Sequence, residues 1–271
     1  MEYTKSCLKW AGGKSKLLPT ILPLLKGNRL IEPFMGSGVV FLNSEQTDVL
    51  VNDFNSDLIN VFQQIQKHPT RLINELKPLF LVGNTEEDYI KYRAEFNSLT
   101  NQTLRKAALF IYLNRHCFNG LCRYNASNNF NVPYGRYDKP YLPEQEIKII
   151  TDKLKNINIQ YSVGDFTNVM LSAIPGDVIY CDPPYVPLSD TASFTAYAAT
   201  GFTIDQQNQL ASLAETLQKK GIKVIISNHD TDFTREIYKN ASDIKTIDVH
   251  RSISANGSNR KKVQELIAIY E

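Results

Sequence analysis

RLIEPFMGSGVVFLN (29–43), with VLVND (49–53) close behind it, reads as a single β-turn-α-β unit. RLIEP (29–33) and VLVND are short apolar runs of strand length, GSG (36–38) is the turn, and VVFLN (39–43) opens a helix. Outward from this unit, DVIYCD (177–182), KVIIS (223–227) and ELIAIY (265–270) repeat the strand signature. Helical patterns at 204–219 and near 231–239 lie between them. Strands alternating with helices predict an α/β fold with a mostly parallel, doubly wound sheet. Residues 57–115 differ: DLINVFQQIQ, TRLINELKPLF, EEDYIKYRAEF and LRKAALFIYLN carry helical periodicity with no strand among them. From Cys117 to Pro140 the pattern breaks into Asn, Gly, Tyr and Pro, as in a long, aromatic, ordered loop, and loops of that length are commonly functional.

The chain has 271 residues, room for one large domain or a core with a smaller insertion. Its 42% hydrophobic and 21% charged content excludes a disordered tail, a collagen-like fibre and a long coiled coil. The longest apolar run, Ala107 to Leu113, is too short to span a bilayer, so no membrane association is expected. MEYTKSCLKW lacks the apolar stretch of a secretion signal, which predicts a cytoplasmic protein with reduced thiols. Cys7, Cys117, Cys122 and Cys181 form no CxxC pair and meet no zinc-like histidine spacing, so neither disulfide nor metal is expected. Net charge is +2, but residues 91–139 hold eight basic side chains (Lys91, Arg93, Arg105, Lys106, Arg115, Arg123, Arg136, Lys139) against Glu95 and Asp138. Such an island fits either a polyanion footprint or a solvated face.

Three constellations carry chemistry. In EPFMGSG (32–38), glycines allow close backbone approach, and Asp53 at the end of the next strand is placed to accept from both hydroxyls of a ribose. The plain alternative is a tight turn, with Asp53 and Asn55 beginning a helix. Phe41 stands where the third glycine of a dinucleotide fingerprint would fall, so an adenosine without pyrophosphate fits better. DPPY (182–185) follows an apolar strand, at the sheet edge where such folds bind ligands. Its two prolines force an extended path, turning the Asp182 carboxylate and Pro183 carbonyl outward as convergent acceptors for an exocyclic amino group, with Tyr185 offering a ring to stack on the base; a rigid turn with Asp182 as an N-cap is the plain alternative. KWAGGK (9–14) sets an indole and two glycines between lysines; Trp10 as a core anchor and Lys14 as a surface charge is the competing reading.

In this order, KWAGGK, EPFMGSG, Asp53, a basic insertion and DPPY resemble the alpha-group N6-adenine DNA methyltransferases of the Dam type. The likeness runs through FNGLCRYN (118–125), NVPYGRYDKPY (131–141), SNHD (227–230) and HRSISANGSNRKK (250–262), nearly the whole chain. It implies a Rossmann-like methyltransferase sheet with an inserted helical DNA-recognition domain. Residues 1–56 and 145–271 would form the catalytic domain and 57–144 the recognition domain. The implied reaction moves a methyl group from S-adenosyl-L-methionine to the N6 amino group of adenine in duplex GATC after base flipping. It leaves S-adenosyl-L-homocysteine, uses no metal, and is carried out by a monomer on the DNA of the nucleoid.

Carried over position by position, the resemblance implies cofactor contacts from Trp10, Lys14, Phe34, Gly36, Gly38, Asp53, Asp165 (in VGDF, 163–166) and Asp182. Asp182, Pro183, Pro184 and Tyr185 would form the catalytic corner. Phe118 takes the place of an intercalating aromatic, often Tyr in relatives, and Asn119 would attend to the opened pair. Lys9, Leu121, Arg123 and Pro133 correspond to base-reading positions, and Asn125, Arg136 and Tyr137 to backbone contacts. His116 and Cys117 depart from the family pattern just before the aromatic. The rival readings are a methyltransferase of the same fold acting on another DNA sequence or amino group, and a DNA-binding regulator without catalysis. Intact DPPY and Asp53 weigh against the second.

Overall fold

The computed structural model describes residues 3–186, 202–249 and 263–271. Among them run seven strands: β1 (Arg29–Glu32), β2 (Asp48–Asp53), β3 (Asn158–Val163), β4 (Val178–Cys181), β5 (Lys223–His229), β6 (Asp243–Val249) and β7 (Val263–Tyr270). The chain separates into two compact units, Met1–Pro23 with Met35–Gly164, and Leu24–Phe34 with Asp165–Glu271.

In the first unit β2 and β3 pair in parallel, from Asp48 opposite Asn158 to Asp53 opposite Val163. Its helices are α1 (Leu18–Ile21), α2 (Val39–Asn43), α3 (Ser56–Lys67), α4 (Pro69–Val82), α5 (Glu86–Ser98), α6 (Leu104–His116) and α7 (Glu144–Lys155). The segment read as uninterrupted helix thus resolves into α3–α6. Polar caps punctuate it: Asn55 accepts from the Asp57 and Leu58 amides, Thr85 and Asp88 form a capping box, and Thr103 accepts from Lys106 N. Every residue of α6 from Ala107 to Asn114 is buried, as a helix apolar on all sides requires, and α3, α4 and α5 pack around it.

In the second unit β1, β4 and β5 are parallel neighbours, and β7 enters antiparallel between β5 and β6. All of β4 and the last six residues of β5 are buried, the reason both read as unbroken apolar runs. The helices here are α8 (Phe166–Leu171), α9 (Ile204–Gln218) and α10 (Asp232–Ile237).

The α/β expectation holds, with two refinements. β3 and β6 carry no apolar run: NIQYSV alternates exposed and half-buried side chains, and DIKTIDV alternates charge with aliphatics. The last strand is antiparallel, because an apolar run encodes burial and not direction. HRSISANGSNRKK (250–262) lies outside the described residues. Among the described residues no helix is long and apolar enough to cross a membrane.

Candidate active site

The candidate residues fall into two groups, one in each unit. In the first, Trp10, Gly36 and Asp53 come together around the turn after β1. The Gly36 amide donates to Asp53 Oδ2 at 3.0 Å, and the Asn55 amide to Asp53 Oδ1 at 2.9 Å. The Phe54 amide also bonds this carboxylate, so three backbone donors hold it. Burial is the largest influence on Asp53 and raises its pKa, against the pull of these backbone donors. Gly36 has φ +51, and a Cβ there would stand 3.0 Å from the Trp10 indole nitrogen. The glycine therefore accommodates the indole as well as the turn. Gly38, at φ +72, lies against the rings of Phe41 and Phe62, where a Cβ would come within 2.6 and 2.9 Å. Phe41 fills the third fingerprint position because it belongs to this core, edge-on to Phe62. Lys14 is buried and donates from Nζ to the Gly12 carbonyl at 2.7 Å, which removes the surface-charge alternative. The alternative for Asn55 stands beside the functional one: it caps α3 while holding Asp53.

The second group lies after β4. Prolines at 183 and 184 supply no N–H, so side chains take over where a backbone ladder would hold the chain. Gln207 on α9 donates to the Pro184 carbonyl at 2.9 Å, Val186 N donates to Asn228 Oδ1 at 3.2 Å, and His229 Nδ1 lies 2.5 Å from the Val186 carbonyl. Asn228 in turn donates to Gln207 Oε1, which ties the clamp together. The Tyr185 hydroxyl donates to Glu265 Oε2 at 2.8 Å. Burial, with Asp182 next, pushes the Tyr185 pKa well up, so the phenol stays protonated. Phe34 and Asp165 also belong to this unit. Phe34 stacks on Phe166 at 5.3 Å and meets Phe202 edge-on, and exposed Asp165 caps α8 by accepting from Thr167.

The residues expected to meet DNA all lie in the first unit. Segment 117–137 folds back on itself through bridges between Cys117 and Tyr134 and between Tyr124 and Phe130. Its tip is a 3-10 turn, Phe118–Gly120, with Asn119 at φ 54. Phe118 is 49% exposed and Leu121 37%, unusual for apolar groups held on an ordered turn. The Phe118 amide donates to the Pro133 carbonyl, and the Asn119 amide to the Tyr137 hydroxyl. Lys9 Nζ sits 4.0 Å from the Tyr137 ring centre. Arg123 is exposed and aimed by Asn131, whose side-chain and backbone oxygens it donates to. Asn125 uses its side-chain oxygen within its own turn, accepting from Ser127 and Asn129. Exposed Arg136 has φ 54. His116 and Cys117 turn inward: His116 stacks on Tyr112 at 3.9 Å and meets Asn84 through Nε2 at 3.1 Å.

The basic island is only partly a surface feature. Arg105 pairs with Glu95 and Glu75, Lys106 with Asp57, and Arg115 and Arg93 donate to the carbonyls of Cys7 and Val132. Lys91, Arg123, Arg136 and Lys139 are the exposed members. Sequence reasoning missed Asn114, which exchanges hydrogen bonds with the Lys9 backbone and also donates to the Gly120 carbonyl. It missed Phe54 as well, 85% exposed beside Asp53. An aromatic directly after the acidic strand end was the available signal. Gln207 and Glu265 gave no local signal, since their partners lie far along the chain.

Comparison with known proteins identifies the family the sequence resembles. Residues 10–253 match the family described as D12 class N6 adenine-specific DNA methyltransferase. The DNA adenine methylase of Escherichia coli K12 is 45% identical, covering 100% of this chain and 97% of its own. That of Vibrio cholerae serotype O1 is 44% identical with the same coverage, and that of Serratia marcescens is 44% identical over 100% of both chains. Among solved structures, a precorrin 8W decarboxylase from Methanobacterium thermoautotrophicum gives a TM-score of 0.40 at 11% identity over 97% of this chain and 93% of its own, too remote to bear on function.

Proposed function

The chain belongs to the D12 class of N6 adenine-specific DNA methyltransferases, and from that premise we propose that it methylates adenine within duplex GATC with S-adenosylmethionine as donor. Residues 57–144 read the DNA, and residues 1–56 and 145–271 bind the donor and carry the reaction in the cytoplasm. The observation that carries this reading is the clamped corner Asp182–Tyr185. Gln207, Asn228 and His229 hold the path of this corner at Pro184 and Val186, on either side of Tyr185 and next to the Asp182 carboxylate, whose Oδ1 is buried.

The adenine amino nitrogen is a poor nucleophile because its lone pair is delocalised into the ring. Acceptors on its hydrogens return that density to nitrogen, and Asp182 serves as the orienting acceptor. S-adenosylmethionine supplies an electrophilic methyl group on a good leaving group. The protein's work is therefore alignment, with no strong general base required. Asp53 accepts from the ribose hydroxyls, while Trp10 and Lys14 hold the neighbouring turn.

Extruding the adenine costs a few kcal/mol, and stacking on Tyr185, with Phe118 filling the gap left behind, offsets about 1–3 kcal/mol per base. Phe118 lacks the hydroxyl of a tyrosine but keeps the stacking face. Lys9, Leu121, Arg123 and Pro133 read base edges; Asn125, Arg136 and Tyr137 hold the backbone.

The test is plasmid methylation followed by digestion with nucleases that differ in sensitivity to methylated GATC. Protection confined to GATC is expected, and protection elsewhere redirects the assignment to another sequence. Asp182→Ala should abolish transfer of tritium from labelled donor while duplex binding stays within several-fold. Near-normal methylation by this variant refutes the role of Asp182, and a wild-type chain that binds DNA but transfers no label is a regulator.

A further inference from the structure

The hydroxyl of Tyr185 is held by a residue on the last strand. In the antiparallel pairing of β5 with β7, His229 stands directly opposite Glu265. Directly opposed residues in such a pair project from the same face of the sheet. Here both reach one side chain: Glu265 Oε2 accepts from the Tyr185 hydroxyl at 2.8 Å, and the His229 ring meets the Tyr185 ring at 4.7 Å, near perpendicular at 79°. The Val186 carbonyl faces His229 Nδ1 at 2.5 Å, so that nitrogen carries the proton, and the imidazole is itself fixed. Tyr185 is thereby held at its tip and along its ring by residues brought together only by strand register.

We propose that Glu265 is a positioning residue for adenine methylation, acting through Tyr185, with His229 as the wall against which the ring is set. This rests on the reading of Tyr185 as the ring on which the target base stacks. Two consequences follow from the chemistry. A phenol donating to a carboxylate makes a charge-assisted hydrogen bond, which fixes the ring plane more firmly than a neutral partner would. The same bond shifts electron density into the ring. As the N6–methyl bond forms and the carbon–sulfur bond breaks, the electron pair stays on sulfur and positive charge appears on the base until an N6 proton leaves to water. An electron-rich ring face is suited to that developing cation.

The test is single-turnover methyl transfer to a GATC duplex by wild type, Glu265→Gln, Glu265→Ala, Tyr185→Phe and the Glu265→Ala/Tyr185→Phe double variant. Glu265→Ala is expected to slow transfer about tenfold, the size of one lost charge-assisted hydrogen bond, with the donor KM within about twofold. Tyr185→Phe should slow it comparably, and the double variant no further, because both remove one interaction. Glu265→Gln, which keeps shape and acceptor but not charge, should fall between and serves if the alanine variant fails to fold. With 2-aminopurine at the target position, Glu265→Ala should leave the extruded base brighter than in wild type, a readout that general destabilisation does not produce. Unchanged transfer in both Glu265 variants, or losses that add in the double variant, overturns the proposal while leaving the function intact. A wild-type chain that labels no adenine overturns the function and this proposal together.

Discussion

Asp53 is one carboxylate that holds the turn after β1 and that the proposed donor binding would also use. Its oxygens accept from Gly36 and Asn55, while burial raises its pKa above the ordinary carboxylate value. A protonated acid loses acceptor capacity, so donor affinity should fall as pH drops through this raised pKa, a window above that of an exposed aspartate. The sign for stability is opposite: a raised carboxyl pKa means the folded state holds the proton more tightly, and stability is lost as pH rises from the unfolded to the folded value. Asp53→Asn should weaken donor binding by about 1.5–3 kcal/mol and abolish the acid titration in calorimetry. An unchanged midpoint in that variant assigns the titration elsewhere. At this scale the sequence marked the acidic strand end and the Pro-Pro corner, because their residue types stand out locally, while the residues that hold the corner lie far along the chain. The inward turn of Lys14 was not legible, since burial of a lysine depends on what packs over it.

At the element scale, the 117–137 segment is tied to the helices by a buried polar junction. Asp57 accepts from Tyr124 Oη at 2.8 Å and Gln102 Nε2 at 2.9 Å, and pairs with Lys106 at 2.9 Å. It joins the start of α3, the start of α6 and the 117–137 segment. The side chains of Asp57 and Lys106 are 9% and 11% exposed, so Asp57→Ala would leave an ammonium buried without its counter-charge. The expected cost is about 3–5 kcal/mol in chemical denaturation, against about 1.5–3 kcal/mol for Tyr124→Phe, which removes one charge-assisted hydrogen bond. A loss below about 1 kcal/mol for Asp57→Ala would show that water reaches the lysine. Arg123→Ala should relax specificity at one base pair by about 1–3 kcal/mol without slowing transfer on the remaining sites, measured by competition between substituted duplexes. Helices and central strands were readable because their periodicity is local. β3 and β6 were not, because half-exposed strands take their definition from the strand they pair with.

For the whole molecule, charge and ligand linkage give the measurable consequences. Of the eight basic residues in 91–139, Arg93, Arg105, Lys106 and Arg115 are engaged internally, so the polyanion footprint is smaller than composition suggests. Duplex affinity should fall with salt with a slope near −0.9 per phosphate neutralised, and Arg136→Ala should flatten that slope by about one unit on every sequence alike. An unchanged slope removes Arg136 from the backbone contacts. S-adenosylmethionine at about a hundred times its Kd should stabilise the chain by about 2.7 kcal/mol, visible as a raised Tm, and the same donor concentration should give Asp53→Asn only about 0.3–1.3 kcal/mol. The sequence by itself determined the β-turn-α-β start, the helical character of 57–115 and the Asp-Pro-Pro-Tyr corner, because glycine freedom, proline rigidity and helical period act over a few residues. Only the tertiary structure decided which cations are neutralised, which way β7 runs and that Glu265 reaches Tyr185. Those depend on strand register and packing between residues far apart in the chain, which no short stretch of sequence specifies.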